Sequence, residues 1–470
     1  MNIIGRKKEM ALLKEALDSP GAELIAVYGR RRIGKTFLIK EFFNNKFDFY
    51  ATGVYQGKQK DQIKAFTASF SKQPPQEIKD WMDAFVYLRD YLNGIRKKQL
   101  VVFLDELPWF DVPPGHFLKA FEWFWNSWGS TRPGLKMIVC GSATTWMVDR
   151  FIHDKGGLYN RTTLSIYLPP FDLHDSAELL RSKGIEWADL SVLDCYMVFG
   201  GVPYYLNMLR RNESLDTNID RLFFSREAPL REEYEFLFRS LFRDSNTYMQ
   251  IIDAMASRNS GVTREELIKT AGLADGGGLT TILKNLERSD FIRVYQPFGK
   301  KTKNALYQLI DPFILYYKRF VETYRRYDEA HWSHLIDHPS RRAWSGLAFE
   351  MVALLHLRQI KETLGIGGVQ ADVSSWLYKG DEKNAGAQID MVIARRDRVI
   401  NLCEMKYSEE EYDVTKSYET TLRTRRAIFR EVTKTKKSIH MSLVTPFGLK
   451  NNAHAAIFNQ VITLKDLLRE

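Results

Sequence analysis

The sequence has 470 residues, a mass of 54.7 kDa and a formal net charge of +10. This length exceeds what one ordinary hydrophobic core supports and predicts about three domains. With 44% hydrophobic and 27% charged residues, the composition excludes a disordered or collagen-like chain.

The termini and the cysteines bear on the compartment. The charged N-terminus lacks the apolar core of a signal peptide, and no stretch approaches roughly 18 uncharged apolar residues. We therefore expect a cytoplasmic protein without a membrane span. Three widely spaced cysteines predict reduced core residues. The positive charge favours an anionic partner such as nucleic acid, although solvated lysines would give the same composition.

A phosphate-binding loop follows the first predicted strand. Residues 22–28 form an apolar run that predicts a buried parallel strand, and residues 37–43 have helical periodicity. The residues between them fit GxxxxGK[ST]: Gly29, Arg30, Arg31, Arg32, Ile33, Gly34, Lys35 and Thr36. In this order of strand, loop and helix, backbone N–H groups surround the β-phosphate of ATP, Lys35 reaches the β- and γ-phosphates, and Thr36 coordinates Mg²⁺.

Two further strands carry candidate ATPase residues. Residues 99–106 predict an apolar strand that ends in Asp105, a magnesium ligand, and Glu106, which would polarise the attacking water. Residues 135–142 predict a third strand that ends in Ser142. We interpret Ser142 either as a sensor of the γ-phosphate or as a serine that caps the strand.

These motifs, together with residues 4–9 and 200–205, occur in an order that resembles an archaeal-type ATPase, a family related to the AAA+ and STAND ATPases. The resemblance implies that Gly5 and Arg6 lie near the adenine, and that residues 200–205 pack a helical lid onto the nucleotide. It also implies that Arg161 supplies charge to the γ-phosphate from the same or a neighbouring subunit. A surface salt bridge is the alternative, and Asn160 departs from the family's glycine.

The middle of the chain predicts a helical lid at 172–245 and a winged helix at 246–330. The second prediction rests on helices at 248–256, 264–270 and 279–288, followed by strands at 291–296 and 304–309. Basic residues of the last helix and the wing would contact DNA phosphates, unless the module docks protein instead: Lys284, Arg288, Arg293, Lys300, Lys301 and Lys303.

The C-terminal part predicts two strands, 388–394 and 399–406, around a charged turn. Asp390 begins the first strand, whereas Glu404 and Lys406 share one face of the second because strand residues two apart point the same way. Burying these charges costs several kcal/mol unless they bind something, and a metal would offset that cost.

This spacing resembles the PD-(D/E)XK nuclease fold, a domain that the archaeal-type ATPase family often carries. The resemblance implies that Glu350, in the helix at 346–355, completes an acidic cluster. Asp390 and Glu404 would hold magnesium at a scissile phosphate, and Lys406 would position the attacking water. Basic residues further on could track a nucleic-acid backbone or form a solvated helix face: Lys416, Arg423, Arg425, Arg426 and Arg430.

The sequence thus predicts an α/β protein with a P-loop NTPase parallel sheet at 1–171, a helical lid, a winged-helix module, and an α/β restriction-endonuclease-like domain at 331–470. We expect an ATPase that uses ATP and Mg²⁺ and controls a nuclease domain. The nuclease domain would act on nucleic acid, with DNA as the expected substrate. The protein could form a homo-oligomer. The alternative is a nucleotide-gated signalling or scaffolding switch whose nuclease-like domain is catalytically silent.

Overall fold

The computed structural model describes residues 3–153, 157–158, 160–242, 244–258, 260–300, 305–324, 328–382 and 385–470. The chain divides into two compact units, Met1–Pro170 and Phe171–Glu470. The three domains that the sequence predicts beyond residue 171 lie together in the second unit, and their separate identities stay predictions. Within the described residues, no helix combines the length and apolar character that crossing a membrane requires.

The first unit alternates strands and helices. Its elements in chain order are α1 (Lys7–Asp18), β1 (Glu23–Tyr28), α2 (Lys35–Phe42), β2 (Phe49–Thr52), α3 (Gln59–Ala68), α4 (Trp81–Asn93), β3 (Leu100–Asp105), α5 (Leu107–Phe110), α6 (Phe117–Ser127), β4 (Leu135–Gly141), α7 (Thr144–Trp146) and β5 (Leu164–Tyr167).

These strands form a parallel sheet in the order β2-β3-β4-β1-β5. Strand β1, which lies between β4 and β5, is buried on both faces. Leu24 and Ala26 pack in the core cluster that includes α3, α4 and α6, whereas Ile25 and Val27 pack with α1 and α2. A strand covered on both sides needs a continuous apolar run, which explains the sequence of β1. The carboxyl ends of the strands meet at one edge, where α/β sheets bind ligands.

The second unit is longer and contains both helices and strands. Its elements in chain order are α8 (Leu173–Ser182), α9 (Asp189–Phe199), α10 (Pro203–Leu206), α11 (Leu215–Ile219), α12 (Glu233–Leu241), α13 (Ser245–Ala256), β6 (Val262–Thr263), α14 (Arg264–Ala271), α15 (Gly277–Arg288), β7 (Ile292–Tyr295), β8 (Leu306–Leu309), α16 (Pro312–Tyr316), α17 (Pro339–Leu355), α18 (Leu357–Thr363), β9 (Ala371–Tyr378), β10 (Ala387–Arg395), β11 (Val399–Met405), α19 (Lys416–Thr433), β12 (Ser438–Val444), β13 (Gln460–Ile462) and α20 (Leu464–Leu467).

A mixed sheet in the order β13-β12-β11-β10-β9 forms the C-terminal part of this unit. Strands β9, β10 and β11 pair antiparallel, and β11, β12 and β13 pair parallel. Helix α19 is the crossover between the parallel neighbours β11 and β12, and α17 contacts β11. Ile400 and Leu402 of β11 share a core cluster with Leu422 and Phe429 of α19.

The segment predicted as a winged helix contains α13, α14 and α15 and a small antiparallel sheet in the order β6-β8-β7, whose first strand β6 lies between α13 and α14. A capping box is present at the start of α14. Thr263 Oγ1 accepts a 3.2 Å hydrogen bond from the backbone N–H of Glu266, whose carboxylate accepts one of 2.8 Å from the N–H of Thr263. The elements occur in the predicted order, and the DNA-binding assignment stays a prediction.

Helix α9 is buried in the second unit, between α8, α16, α17 and α20. It ends at Gly200, whose φ of 63° is left-handed, and the next residue, Gly201, also has a positive φ of 66°. A Cβ atom on Gly201 would lie 2.0 Å from the carbonyl oxygen of Phe171. The glycine pair is therefore required for the chain to pass this close to the start of the unit.

Candidate functional site

The loop after β1 has a glycine with a positive φ at each end. Gly29 has a φ of 147°, and a Cβ atom here would lie 2.3 Å from the carbonyl oxygen of Leu168. Gly34 has a φ of 88° and directly precedes α2. A side chain would be strained at Gly29 by close contact and at Gly34 by the backbone angle. The GxxxxG spacing thus produces a tight turn in front of a helix N-terminus, the arrangement that binds phosphate.

Lys35 is the first residue of α2, and its side chain is buried within the loop. Its ammonium group donates hydrogen bonds of 2.9 Å to the carbonyl oxygen of Gly29 and of 2.9 Å to that of Arg30. Burial lowers the pKa of Lys35, and the negative charges of Glu106 and Asp105 oppose that shift. The loop therefore encloses the positive charge that the sequence predicts for the β- and γ-phosphates.

The loop and the carboxyl end of β3 are joined by a hydrogen bond. Thr36 Oγ1 donates to Asp105 Oδ2 at 2.8 Å, and the N–H of Glu106 donates to Asp105 Oδ1 at 3.0 Å. Burial raises the pKa of Asp105 to about 6, and the neighbouring charge of Glu106 adds to the rise. A hydroxyl and a carboxylate this close are hard oxygen donors of the kind that Mg²⁺ prefers.

Glu106 is held from the neighbouring strand. Its carboxylate oxygen Oε2 accepts hydrogen bonds from the hydroxyl of Ser142 at 2.7 Å and from the N–H of Ser142 at 3.1 Å. Strand β4 lies between β1 and β3, so Ser142 follows the strand that separates the loop from the two carboxylates. The sequence predicts that Ser142 senses the γ-phosphate or caps the strand, and its contact with Glu106 is not part of that prediction.

Gly5 and Arg6 precede α1 with φ angles of 60° and 58°. The guanidinium group of Arg6 donates to the carbonyl oxygen of Pro169 at 2.6 Å and to that of Ile33 at 3.5 Å. Arg6 therefore ties the phosphate loop to the segment after β5. Its predicted position near the adenine stays a prediction.

The remaining arginines of the prediction differ in exposure. Arg30 is buried, whereas Arg31 and Arg32 are partly exposed. Arg161 is exposed, and its backbone N–H donates to the carbonyl oxygen of Leu158 at 3.0 Å.

The structure brings five predicted residues together at the edge of the sheet: Lys35, Thr36, Asp105, Glu106 and Ser142.

A second group of charged residues lies in the C-terminal sheet. In the antiparallel pairing of β10 and β11, Met391 is opposite Cys403, which places Asp390 and Glu404 at the next position of the register. The pairing of β10 with β9 shifts between Ile389 and Val392, so a β-bulge falls at Asp390. Bulges re-aim side chains and are frequent beside active sites.

Glu350 of α17 completes this group. Burial raises the pKa of Glu350 to about 7, the charge of Asp390 adds to the rise, Lys406 opposes it, and Glu404 contributes least. Glu350 therefore lies within electrostatic reach of all three strand residues. We name Glu350, Asp390, Glu404 and Lys406 the acidic cluster. Gln388 donates a 2.6 Å hydrogen bond to Asp390 Oδ1.

Helix α19 covers one member of the acidic cluster. Tyr418 donates its hydroxyl to Glu404 Oε2 at 2.9 Å, and Arg425 Nη1 donates to both carboxylate oxygens, at 3.1 and 3.3 Å. The ammonium group of Lys406 lies 5.5 Å from the centre of the Tyr418 ring. From the sequence, Arg425 is expected either to track a nucleic-acid backbone or to lie on a solvated helix face, and Tyr418 is not among the predicted residues. The i, i+7 spacing of the two residues, which places them on one face of a helix, was the available signal.

The predicted DNA-contact residues of the wing are differently placed. Arg293 donates to Gln308 Oε1 at 2.8 Å, its guanidinium lies 4.1 Å from the centre of the Tyr295 ring, and burial lowers its pKa. The N–H of Phe298 donates to the carbonyl oxygen of Ser375 at 2.7 Å, and its ring lies 5.1 Å from that of Phe429. Phe298, which follows β7, therefore packs against the C-terminal sheet and α19.

Three other predicted contacts remain on or near the surface. Lys284 and Lys300 are exposed, and Arg288 is partly exposed. Lys301 and Lys303 lie outside the described residues. DNA contact through this segment stays a prediction.

A parallel sheet with a GxxxxGK[ST] loop after β1 and two carboxylates after β3 defines a P-loop ATPase core. Residues 3–209 match a family model described as an ATPase domain predominantly from Archaea. The chain therefore carries an ATPase domain of this archaeal type, and the match extends beyond the first unit to residue 209.

One sequence relative covers most of the chain, and a second covers a short segment. An uncharacterized protein of Methanocaldococcus jannaschii is 27% identical over 425 residues, which cover 88% of this chain and 90% of the relative. A segment of 43 residues, 9% of this chain, is 49% identical to an uncharacterized ATP-binding protein of the same organism and covers 73% of it.

Two solved structures are similar to parts of this chain. A Walker-type ATPase of Pyrococcus abyssi has a TM-score of 0.49 and 19% identity, with 68% of this chain and 96% of that chain covered. The ORC2 protein of Aeropyrum pernix, in ADPNP-ADP complexes, has a TM-score of 0.43 and 13% identity. The match covers 72% of this chain and 95% of that chain.

Proposed function

We propose that this ATPase uses its nucleotide state to control a metal-dependent nuclease-like domain that acts on nucleic acid, with DNA as the first substrate to test. The observation that carries the proposal is the convergence of the acidic cluster: Glu350, Asp390, Glu404 and Lys406. Glu404 is buried and the other three side chains are partly buried, and charges in such positions are costly without a partner. The α-β-β-β-α-β order of α17, β9, β10, β11, α19 and β12 agrees with the proposed nuclease fold.

The roles of the ATPase residues follow from their contacts. Lys35 would exchange its hydrogen bonds to loop carbonyls for the β- and γ-phosphates. Glu106, fixed by Ser142, would polarise the attacking water. Thr36 and Asp105 fit a magnesium site, because a hydroxyl and a carboxylate 2.8 Å apart are suitable oxygen donors. Mg²⁺ at this position would neutralise charge on the β- and γ-phosphate oxygens.

The acidic cluster, like the ATPase residues, would bind a divalent cation beside a phosphate. Asp390 and Glu404 would hold a divalent cation, with Glu350 beside them, and their carboxylates suit Mg²⁺ or Mn²⁺. Such a cation would polarise the scissile phosphate. Lys406 would orient the attacking water or stabilise the charge that develops on the phosphate.

Cleavage of labelled single- and double-stranded DNA and RNA in Mg²⁺ or Mn²⁺ tests the nuclease part. We expect metal-dependent cleavage that Lys406→Ala and Glu350→Gln each reduce at least about a hundredfold, as for groups that act in the transition state. Lys465→Ala, an exposed lysine of α20, is the matched control and should cleave normally. Cleavage that survives Lys406→Ala would come from a contaminant or another site and would contradict the assignment.

The coupling to ATP needs its own comparison. Cleavage is measured with ATP, with ADP and without nucleotide, in the wild type and in Lys35→Ala. Rates that differ between nucleotide states in the wild type, and are equal in Lys35→Ala, would support control by ATP. Equal rates under every condition in the wild type would leave two independent activities.

The second candidate function is a nucleotide-gated scaffold with a silent nuclease-like domain. The ion pair between Arg425 and Glu404 favours it, because this pair satisfies a proposed metal ligand without a metal. A protein that hydrolyses ATP, binds no divalent cation at the acidic cluster and cleaves none of the four nucleic acids would fit this alternative.

A further inference from the structure

Glu404 is the most deeply buried carboxylate of the acidic cluster, with 4% of its side chain exposed. A buried carboxylate requires a compensating positive charge or several hydrogen-bond donors. Arg425 provides the charge and contacts both oxygens, and Tyr418 provides a further donor. A divalent cation would compensate the same charge, so the guanidinium and the cation are alternative partners of Glu404.

Arg425 is the exposed end of this arrangement, because 32% of its side chain reaches solvent. The adjoining surface of α19 has a hollow of about 400 Å³ lined by three arginines and two apolar residues: Arg423, Arg426, Arg430, Ala427 and Ile439. Residue 426 follows Arg425 by one position, about 100° around the helix. Arg425 does not line this hollow, so a phosphate diester bound there would meet the Arg425 guanidinium only when that side chain turns from Glu404 towards the phosphate, whose geometry a guanidinium suits.

We propose that Arg425 is an internal counter-ion that occupies Glu404 until a nucleic-acid phosphate withdraws it, so that loading of the divalent cation is coupled to substrate binding. This inference rests on the proposed nuclease function and names the regulation of its metal site. Tyr418 is a positioning residue, because its hydroxyl also donates a hydrogen bond to Glu404 Oε2 and so holds this carboxylate in place.

The test measures Mn²⁺ binding by calorimetry in the full chain, with and without a short nuclease-resistant phosphorothioate oligodeoxynucleotide. In the wild type the oligonucleotide should tighten Mn²⁺ binding about tenfold, by reciprocal linkage of the two ligands. Arg425→Gln should bind Mn²⁺ about tenfold more tightly without the oligonucleotide and should respond to it less than about twofold.

Two variants separate the effect from a general loss of structure. Arg425→Lys keeps a positive charge on a shorter side chain, so it should compensate Glu404 less well than arginine does, and its Mn²⁺ affinity should fall between wild type and Arg425→Gln. Arg358→Gln removes an arginine that is ion-paired to Glu362 on α18 and should leave Mn²⁺ binding unchanged. Thermal unfolding of each protein shows whether it is folded.

Every outcome decides between the proposals. Wild type that binds Mn²⁺, with Arg425→Gln binding no more tightly, overturns the counter-ion role and leaves the metal site intact. Failure of both proteins to bind Mn²⁺, with or without the oligonucleotide, overturns the metal site and the counter-ion role together.

Discussion

Ser142 and Glu106 form a direct side-chain hydrogen bond of 2.7 Å between two neighbouring parallel strands. The bond fixes the direction of a carboxylate at the end of β3, where its own backbone is left-handed with a φ of 49°. A non-glycine residue with this φ is uncommon and is stabilised by its surroundings. Ser142 is therefore expected to act through Glu106 rather than on the phosphate alone.

Ser142→Ala should reduce the rate of ATP hydrolysis while leaving ATP affinity within about twofold. Loss of a group that orients a catalytic base costs roughly 10- to 100-fold in kcat. Steady-state hydrolysis and equilibrium binding of a fluorescent ATP analogue measure the two quantities. Ser142→Thr, which keeps the hydroxyl, is the matched control and should retain most of the activity. Equal losses in both variants would argue against the hydrogen bond as the cause.

Lys35→Ala should abolish stabilisation by ATP. A ligand at 100 times its Kd stabilises the folded state by about 2.7 kcal/mol, which raises Tm by roughly 2–4 °C per kcal/mol in a domain of this size. Without nucleotide, Lys35→Ala should be no less stable than wild type, because burial lowers the pKa of Lys35 and its charge is costly to bury. Thermal scans with and without ATP give both results. An ATP-dependent rise in Tm of the variant would contradict the assigned role.

Asp105→Asn should stabilise the protein above about pH 6. Burial raises the folded-state pKa of Asp105 from 3.8 to about 6, so its contribution to stability is present at low pH and is lost between about pH 4 and pH 6. An asparagine cannot ionise and avoids this loss, which is on the order of 3 kcal/mol at about 1.4 kcal/mol per pKa unit. Urea unfolding across pH 4–8 should show the difference between variant and wild type growing through this interval and then levelling. ATP hydrolysis should fall in the same variant.

Phe298→Ala should destabilise the second unit by about 2 kcal/mol, because the ring packs on Phe429 and the core of the C-terminal sheet. Lys300→Ala, at an exposed position two residues on, should change stability by less than about 0.5 kcal/mol. Urea unfolding measures both. If both variants had the same stability as wild type, the packing of this segment on the sheet would not persist in solution.

Local patterns were sufficient for the ATPase core. The apolar run of β1, the glycine spacing and the acidic end of β3 are each determined by neighbouring residues, so the sequence predicts Lys35, Thr36, Asp105 and Glu106 as one group. The contact of Ser142 with Glu106 depends on β4 inserting between β1 and β3. That strand order is a tertiary property, which no local periodicity specifies.

In the second unit, too, local sequence patterns predict the strands but not the tertiary contacts between elements. Periodicity predicts the strands that carry Asp390 and Glu404, because alternation along a strand is local. The pairing of Glu404 with Arg425 requires α19 to cross over the sheet and present one face to β11. Charged helix residues have similar sequence patterns whether they face solvent or a buried carboxylate. The role of Arg425 therefore could not be distinguished from a solvated position.

The packing of α9 also determines which parts of the chain can be inherited or exchanged separately. The imidazole of His356 accepts a 2.9 Å hydrogen bond from the N–H of Leu173 and donates one of 2.7 Å to the carbonyl oxygen of Val352, so it links α8 to α17. A chain that ended at residue 209, where the family match ends, would lack His356 and the helices α16, α17 and α20 that pack on α9. The apolar surface of α9 would then be exposed. The boundary of the sequence family is thus not a boundary of folding. Gene fusions that replaced the C-terminal region would have to supply a new surface for α9.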